Sequence, residues 1–302
     1  MSLSVVIPTL NRSASLARTL ESLRGQDVEV VVVDNGSTDD TKAVIERFGL
    51  RHIVEPKPGA SNAKNRGTAK AKGEWVAFLD DDATVEPGWS AAVRGAFSAD
   101  VDAIGGRIVV EWPGRKPEWM PAEREGYYGH CDYGAHSREL KFPEFPFGSN
   151  MILRRDVLAR VGGLSAAVGP TGSNMMSGGE QELFYRLAQA NAKVVYEPRA
   201  VVHHWIPAKH VTKRWLFKRA YKHGMSNARV YNPAIAKAAG RALVSGLATG
   251  LAMNEKVRTA RAATTAYWCG VVREAVSRSM QAPVSHAQQC EFSEALAFKE
   301  RA

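Results

Sequence analysis

Short apolar runs alternate with stretches of helical period over the first hundred residues. Leu3–Pro8, Val28–Val33, Arg51–Val54 and Trp75–Leu79 read as strands, because runs of this length rich in β-branched and aromatic residues suit buried strands. Between them, Leu16, Leu20 and Leu23 recur on one face of a predicted helix over Ser13–Leu23, with Ser13 in position to cap it. A second helix is expected through Phe48, capped by Ser37 or Thr38 after the turn Asp34-Asn35-Gly36-Ser37. A third is expected around Asn62–Lys72, and Pro87-Gly88 opens a fourth. Strands alternating with helices imply an α/β fold with a mostly parallel sheet covered by helices.

The pattern changes beyond residue 106. Arg107–Phe147 is rich in Pro, Trp, Tyr and charge and reads as a long loop, of the kind that is functional when it carries this many aromatics. Trp112, Trp119 and Tyr127 offer ring faces on which sugars or neighbouring side chains pack. Phe147–Leu153 is predicted as a strand, and Glu180–Ala190 as a helix with Leu183, Leu187 and Ala190 on one face, preceded by a glycine-rich loop over Gly169–Gly179. Val194–Tyr196 and Val201-Val202 read as two short strands leading into His203-His204. After Pro207 the period is helical. Ala242–Met253 is apolar and contains Gly246-x-x-x-Gly250, a spacing that suggests tight helix packing. Val257, Ala260, Thr264, Tyr267, Val271 and Ala275 form a further stripe, suited either to docking on the body or to a membrane surface. The tail after Gln281 is weakly patterned. The domain organisation expected is 1–207 for an α/β domain and 208–302 for a helical extension.

The polar residues at the strand ends converge on one edge. Pro8, Thr9 and Asn11 lie at the end of the first strand, Asp34 at the end of the second, and Asp80-Asp81-Asp82 at the end of the fourth. In an open α/β sheet, ligands bind outside the carboxyl ends of the strands. Three adjacent carboxylates repel one another unless a cation joins them; a hard divalent ion shared with phosphate oxygens is one solution, and a solvated acidic turn is the other. No G-x-G-x-x-G or Walker-type loop is present, so neither a dinucleotide nor a P-loop site is indicated.

Charge sharpens this picture. The net charge of +9 is unevenly placed. Between Ala208 and Arg278 fourteen Lys or Arg stand against Glu255 and Glu274, a local balance of +12, which leaves about −3 for the rest. A basic segment of this kind suits an anionic surface, and an anionic membrane is an option. It carries no nucleic-acid motif, so no nucleic-acid partner is expected. Cys131, Cys269 and Cys290 show neither metal nor disulfide spacing and read as free thiols of a reducing compartment. No apolar stretch reaches the roughly 18–20 residues needed to cross a bilayer.

The order of motifs resembles that of family-2 glycosyltransferases with the GT-A fold. The segments that carry the resemblance are Val5-Val6-Ile7-Pro8-Thr9-Leu10-Asn11-Arg12, Val31-Val32-Val33-Asp34-Asn35-Gly36-Ser37-Thr38-Asp39, Asn65-Arg66-Gly67 and Gly73–Asp82. They continue with Gly148-Ser149-Asn150-Met151, Val161-Gly162-Gly163-Leu164, Gly179-Glu180-Gln181-Glu182-Leu183 with Arg186-Leu187, and Tyr196–His204. The resemblance covers about residues 4–224. It implies a nucleoside-diphosphate sugar donor, UDP by frequency in the family, and inversion at the anomeric carbon. It also implies a glycan or lipid-linked acceptor in surface polysaccharide or glycolipid synthesis, and a place in the cytoplasm or on the inner face of the cell membrane. By the same resemblance Asp34 contacts the nucleobase with Thr9 nearby, Asp80 sits at the ribose, and Asp82 ligates Mg²⁺ or Mn²⁺ with His203 or His204 as a further ligand. Pro8, Asn11, Asn65, Arg66, Asp81 and Asn150 complete the expected donor site. The family usually has Glu-Asp where this chain has Glu180-Gln181, and a glutamine cannot take a proton. Glu180 is then the first candidate for the general base and Glu182 the second; the alternative is a catalytically weakened sugar-nucleotide-binding subunit of a glycan-assembly complex.

Overall fold

The computed structural model describes residues 1–168, 178–231 and 233–279, and the chain divides into two compact units. The first comprises residues 1–111, 129–173 and 179–206. Its elements in order are β1 (Leu3–Thr9), α1 (Ser13–Ser22), β2 (Glu29–Asp34), α2 (Thr41–Arg47), β3 (Ile53–Val54), α3 (Ala60–Lys70), β4 (Trp75–Phe78), β5 (Ala83–Val85), α4 (Trp89–Gly95), β6 (Ala103–Glu111), β7 (Arg138–Leu140), β8 (Met151–Arg154), α5 (Arg155–Arg160), α6 (Gly179–Gln189) and β9 (Val194–Trp205). The strands form one sheet in the order β3-β2-β1-β4-β8-β6-β9-β5, with β7 also on β9. β1 to β4 are mutually parallel where they pair, β8 runs antiparallel to β4 and β6, and β6 runs parallel to β9.

Side chains alternate across this sheet as a period of two requires. Leu3, Val5 and Ile7 of β1 pack on one face with Leu16 and Leu20 of α1, Trp75, Trp89 and Ile104. Val6 points the other way, into a core with Val33, Phe78, Met151, Leu183, Leu187 and Tyr196. The expected α/β fold with both faces covered is therefore what forms.

Several local expectations differ from what forms. Ser13 is the first helical residue of α1 rather than its cap, and neither Ser37 nor Thr38 caps α2. One carboxylate serves both helix starts: Asp39 accepts from Ser13 N (3.1 Å), from Thr41 N (3.1 Å) and from the Thr41 hydroxyl (2.5 Å). These hydrogen bonds, Thr41's first, lower the Asp39 pKa from 3.8 to about 2. A depressed carboxylate adds stability above its unfolded value, and that stability is lost as pH falls through the folded value. Asp39→Ala is accordingly expected to lower the denaturation midpoint at pH 7, with the gap from wild type closing as pH falls below 3.8 towards 2. A gap that is constant from pH 7 to pH 3 would show that the carboxylate charge contributes nothing.

The segment expected as a long loop holds real structure: the outer half of β6, a 3-10 turn over Ala122–Tyr128, and β7. The two short strands expected after residue 193 are one strand, β9. Pro198 breaks the alternation in sequence, and the structure absorbs it in a bulge: Gly106 pairs with Glu197, but Arg107 pairs with Val201.

The second unit comprises residues 112–128, 174–178 and 207–302, and its main described elements are α7 (Lys213–Tyr231), α8 (Ile235–Gly250) and α9 (Glu255–Ser279). The tail after Gln281 and most of the Gly169–Gly179 loop lie outside the described residues. The stripe on α9 is buried within this unit: Ala260, Tyr267, Val271 and Ala275 are covered, while Val257 stays exposed. The tight crossing is between α7 and α9, where a methyl on Gly270 would come within 2.0 Å of Tyr221 O and one on Gly224 within 2.0 Å of Tyr267 O. Gly250, expected in close packing, has open space beside it, and Gly246 approaches only the Thr265 methyl at 3.7 Å. Trp112, Tyr128 and Trp215 pack in series with tilted rings at 4.9 and 4.5 Å, and Lys213 lies 5.9 Å over Trp119. Among the described residues, no helix is long and apolar enough to cross a membrane.

Candidate active site

The ends of β1, β2 and β4 bring the acidic residues together on one rim of the first unit. Thr9 ends β1 and stands in register with Asp34, which ends β2. The Thr9 hydroxyl donates to Asp81 at 2.7 Å, so the first and fourth strands are joined at their carboxyl ends. Asp34 is buried and accepts from Ser37 N at 2.8 Å and Gly36 N at 3.2 Å, with His52 Nε2 at 2.8 Å. Burial would raise its pKa, but the His52 and Ser37 hydrogen bonds outweigh it and hold Asp34 ionised below the usual carboxylate range. Asn11, at a positive φ of 53°, clasps the same turn through Ser37 and Thr38. Pro8 is half-buried within β1.

The three consecutive aspartates have three different surroundings. Asp82 is paired with Arg12 at 2.6 Å and with His204 Nε2 at 3.2 Å. Burial opposes its ionisation, yet the hydrogen bonds and charges of His204 and Arg12 prevail and its pKa is lowered. Asp81, desolvated by burial and facing the Asp82 charge, is raised. Asp80 accepts a hydrogen bond from the Ser149 hydroxyl and lies 3.6 Å from Lys64 Nζ. Lys64, only 4% exposed, reaches in the other direction to Glu180 Oε1 at 3.4 Å. One buried ammonium thus bridges the aspartate triplet and the first turn of α6. Gly148 makes room for it, since a methyl there would sit 2.4 Å from Glu180 Oε1 and 2.9 Å from Lys64 Nζ.

Adjacent positions on α6 and β9 separate sharply. Glu180 faces Lys64, whereas Gln181 is buried and its Oε1 has no hydrogen-bond partner among the described residues. Glu182 is committed to Arg186 by two contacts of 2.7 Å, and Arg186 also binds Val161 O and Gly163 O. His204 is the histidine beside Asp82. His203, on the other side of the strand, is clamped by Glu111 at 2.6 Å and Glu86 at 2.8 Å. Burial would lower the His203 pKa, but these two carboxylates raise it.

Three further candidates of the donor site have other surroundings. Asn150 donates to Arg107 O (2.9 Å) and Ala200 O (2.7 Å) and accepts from Trp89 Nε1 (3.1 Å). Its amide closes the carbonyls freed at the β6–β9 bulge. Asn65 bonds both the N–H and the carbonyl of Leu164. Arg66 is exposed on α3. Conversely, Lys64, Arg12, Ser149 and His52 belong to the constellation and are not singled out by residue type. Lys64 had a signal: Ser61, Ala63, Lys64, Gly67 and Ala71 lie at helical spacing on the buried small-residue face of α3, where a lysine is out of place.

Comparison with known proteins bears on the family of the chain. The model of glycosyl transferase family 2 matches residues 4–162, more than half of the chain. The chain belongs to that family. This glycosyltransferase is 31% identical over 242 residues to a glucosyl-dolichyl phosphate glucuronosyltransferase of Haloferax volcanii, covering 75% of this chain and 76% of the relative. It is 26% identical over 234 residues to the succinoglycan biosynthesis protein ExoM of Rhizobium meliloti, covering 72% of each. Among solved structures it resembles the mannosyltransferase PcManGT from Pyrobaculum calidifontis in complex with GDP-Man and Mn²⁺, with a TM-score of 0.64, 19% identity, and 91% of this chain and 87% of that one covered. S. aureus TarS 1-349 in complex with UDP-GlcNAc gives a TM-score of 0.52 at 16% identity, with 92% of each chain covered. These neighbours share the GT-A fold.

Proposed function

We propose that the protein is a divalent-metal-dependent, inverting glycosyltransferase of the hexosyltransferase type. It takes its sugar from a nucleoside diphosphate, UDP first, and passes it to a glycan or lipid-linked acceptor in surface polysaccharide or glycolipid synthesis. The observation that carries this reading is the single rim on which Asp34, Asp80–Asp82, His204 and Glu180 meet, with Lys64 between Asp80 and Glu180. The relatives named for glycolipid and polysaccharide work, and the neighbours holding GDP-Man or UDP-GlcNAc, support it.

The residues fit a divalent ion of one kind. Among the described residues no cluster of three or more His, Cys, Asp or Glu side chains could hold a metal. Asp82 Oδ1 and His204 Nε2, 3.2 Å apart, supply two donors. Mg²⁺ and Mn²⁺ sites of this class take few protein ligands and complete their shell with substrate phosphates and water. Asp82 and His204 would hold the ion, and neutralising charge on the departing diphosphate is the chemistry it supplies when bound.

Each side chain then has a task. Asp34 keeps acceptor capacity beyond its three contacts and receives a base N–H. Asp80, fixed by Ser149 and Lys64, accepts from the ribose. Glu180 takes the proton of the acceptor hydroxyl as that oxygen attacks the anomeric carbon. The attack comes opposite the diphosphate, whose C–O bond breaks with inversion. Gln181 is buried and an amide cannot take a proton, so Glu180 is the carboxylate of this turn to which the base role is assigned.

A thermal-shift panel of UDP-, GDP- and dTDP-sugars with Mn²⁺ tests the reading. A bound donor at about 100 times its Kd stabilises by ~2.7 kcal/mol. The expected result is a Mn²⁺-dependent shift with a UDP-sugar that Asp82→Asn loses, each protein being compared with its own unliganded melting temperature because the substitution also removes the partner of Arg12 and His204 and lowers stability. An unchanged shift in Asp82→Asn removes that residue from the site, and no shift with any donor overturns the reading.

A further inference from the structure

α8 is built inside out. Its contacts with α9 include polar ones: Ser245 Oγ donates to Arg261 O at 3.1 Å, Thr265 Oγ1 donates to Ser245 Oγ at 3.0 Å, and Arg261 donates to Ala248 O at 2.7 Å. Only Ala238 of the helix is buried. The apolar residues point outward, with Leu243 66% exposed, Val244 67%, Leu247 64% and Leu251, just past its end, 82%. Residues on an α-helix are spaced by ~100°, so Ala236, Gly240, Leu243, Leu247 and Leu251 line up in one stripe with Val244 at its edge. No charged residue interrupts it. Lys237 and Arg241 flank it on one side, and both line a groove of about 370 Å³ with Val244, Ser245, Thr264 and Trp268. Arg241 is held there 4.7 Å over the Trp268 ring.

Water is an unfavourable partner for four large aliphatic side chains in a row. A second copy of the chain is a poor partner as well. A 16-residue helix is about 24 Å long and ~10 Å wide, so its face offers on the order of 250 Å², against about 800 Å² per partner in a stable dimer. Two copies would also bring together two segments of +12 each. An anionic lipid surface satisfies both features at once. An interfacial helix buries its apolar stripe at the boundary of headgroups and acyl chains, with its cations at the level of the phosphates.

We infer that α8 is an interfacial helix that seats the protein on anionic lipid bilayers, with Leu243, Val244, Leu247 and Leu251 in the acyl boundary and Lys237 and Arg241 on headgroup phosphates. This assignment rests on the second unit alone and stands or falls independently of the proposed reaction. It differs from the sequence expectation in its location, because the α9 stripe is buried within the second unit while α8 carries the open face.

Co-sedimentation of the full chain with vesicles tests it. Vesicles of phosphatidylcholine containing about 30% phosphatidylglycerol are compared with pure phosphatidylcholine. The protein is expected to bind the anionic vesicles, and to be released as NaCl rises from about 0.1 M to about 1 M. Full burial of a leucine is worth roughly tenfold in partition, so Leu243→Ser/Leu247→Ser should lower partitioning about 100-fold. Both positions are exposed, so the melting temperature of the variant should not move. Equal binding to neutral vesicles, full binding by the double variant, or no binding by the wild type would each overturn the assignment. So would light scattering that shows a wild-type dimer made monomeric by the double variant, because a second copy would then be the occupant.

Discussion

Lys64→Met is expected to destabilise the protein by about 3 kcal/mol, near the lower end of the range for removing one partner of a buried ion pair. Methionine matches the aliphatic stem and keeps the packing on Phe78, over whose ring Lys64 Nζ lies at 5.8 Å. It takes away only the charge that Asp80 and Glu180 share. Those carboxylates are 36% and 24% exposed, so water compensates part of the loss, which places the estimate at the lower end. Burial alone would lower the Lys64 pKa, but Asp80 and Glu180 raise it above 10.5. A raised lysine contributes fully below its unfolded pKa, so the effect is complete at pH 7 and fades only in strong alkali. Chemical denaturation of wild type, Lys64→Met, Glu180→Gln and the double variant measures the coupling. If the two single effects simply add, the Lys64–Glu180 limb of the bridge carries no energy and the 3.4 Å contact is incidental.

The α/β framework was legible because the strands of the first hundred residues are short, continuous and separated by amphipathic helices; Leu16 and Leu20 pack on the sheet as their spacing implied. The rim was legible for the same reason, since parallel strands deliver the residues at their carboxyl ends to one edge. What escaped had contacts set by distant chain. The start of α1 is held by Asp39, twenty-six residues from Ser13, and shows no local signature. β9 read as two strands because Pro198 interrupts it, and only the bulge opposite Gly106 and Arg107 lets it continue. Asn150 reads as a ligand from its motif, but the carbonyls it binds belong to residues 43 and 50 positions away. The order of His203 and His204 around Asp82 depends on the facing of β9, which a one-residue shift would invert.

Glu180→Gln is expected to lower kcat by at least ~10²-fold while leaving the donor's Mn²⁺-dependent thermal shift nearly unchanged. The substitution keeps the shape of the side chain and an amide oxygen able to accept from Lys64, but removes the basic oxygen. Glu182→Gln is the matched comparison, because it makes the same chemical change two residues away. There the carboxylate is held by Arg186 at 2.7 Å through both oxygens, and the same guanidinium ties down Gly163 O at 2.7 Å. Its loss should therefore appear as stability, about 1 kcal/mol for a partly exposed pair, with a much smaller change in kcat. The alternation of α6 sets this division, since neighbouring helical residues do not share a face: Glu180 meets Lys64, Gln181 enters the core, and Glu182 meets Arg186. A dead Glu182→Gln beside an active Glu180→Gln would move the base to Glu182 and give the Arg186 pair a catalytic meaning. Full activity in both would place the base outside α6 and leave the Lys64 bridge with a structural role only.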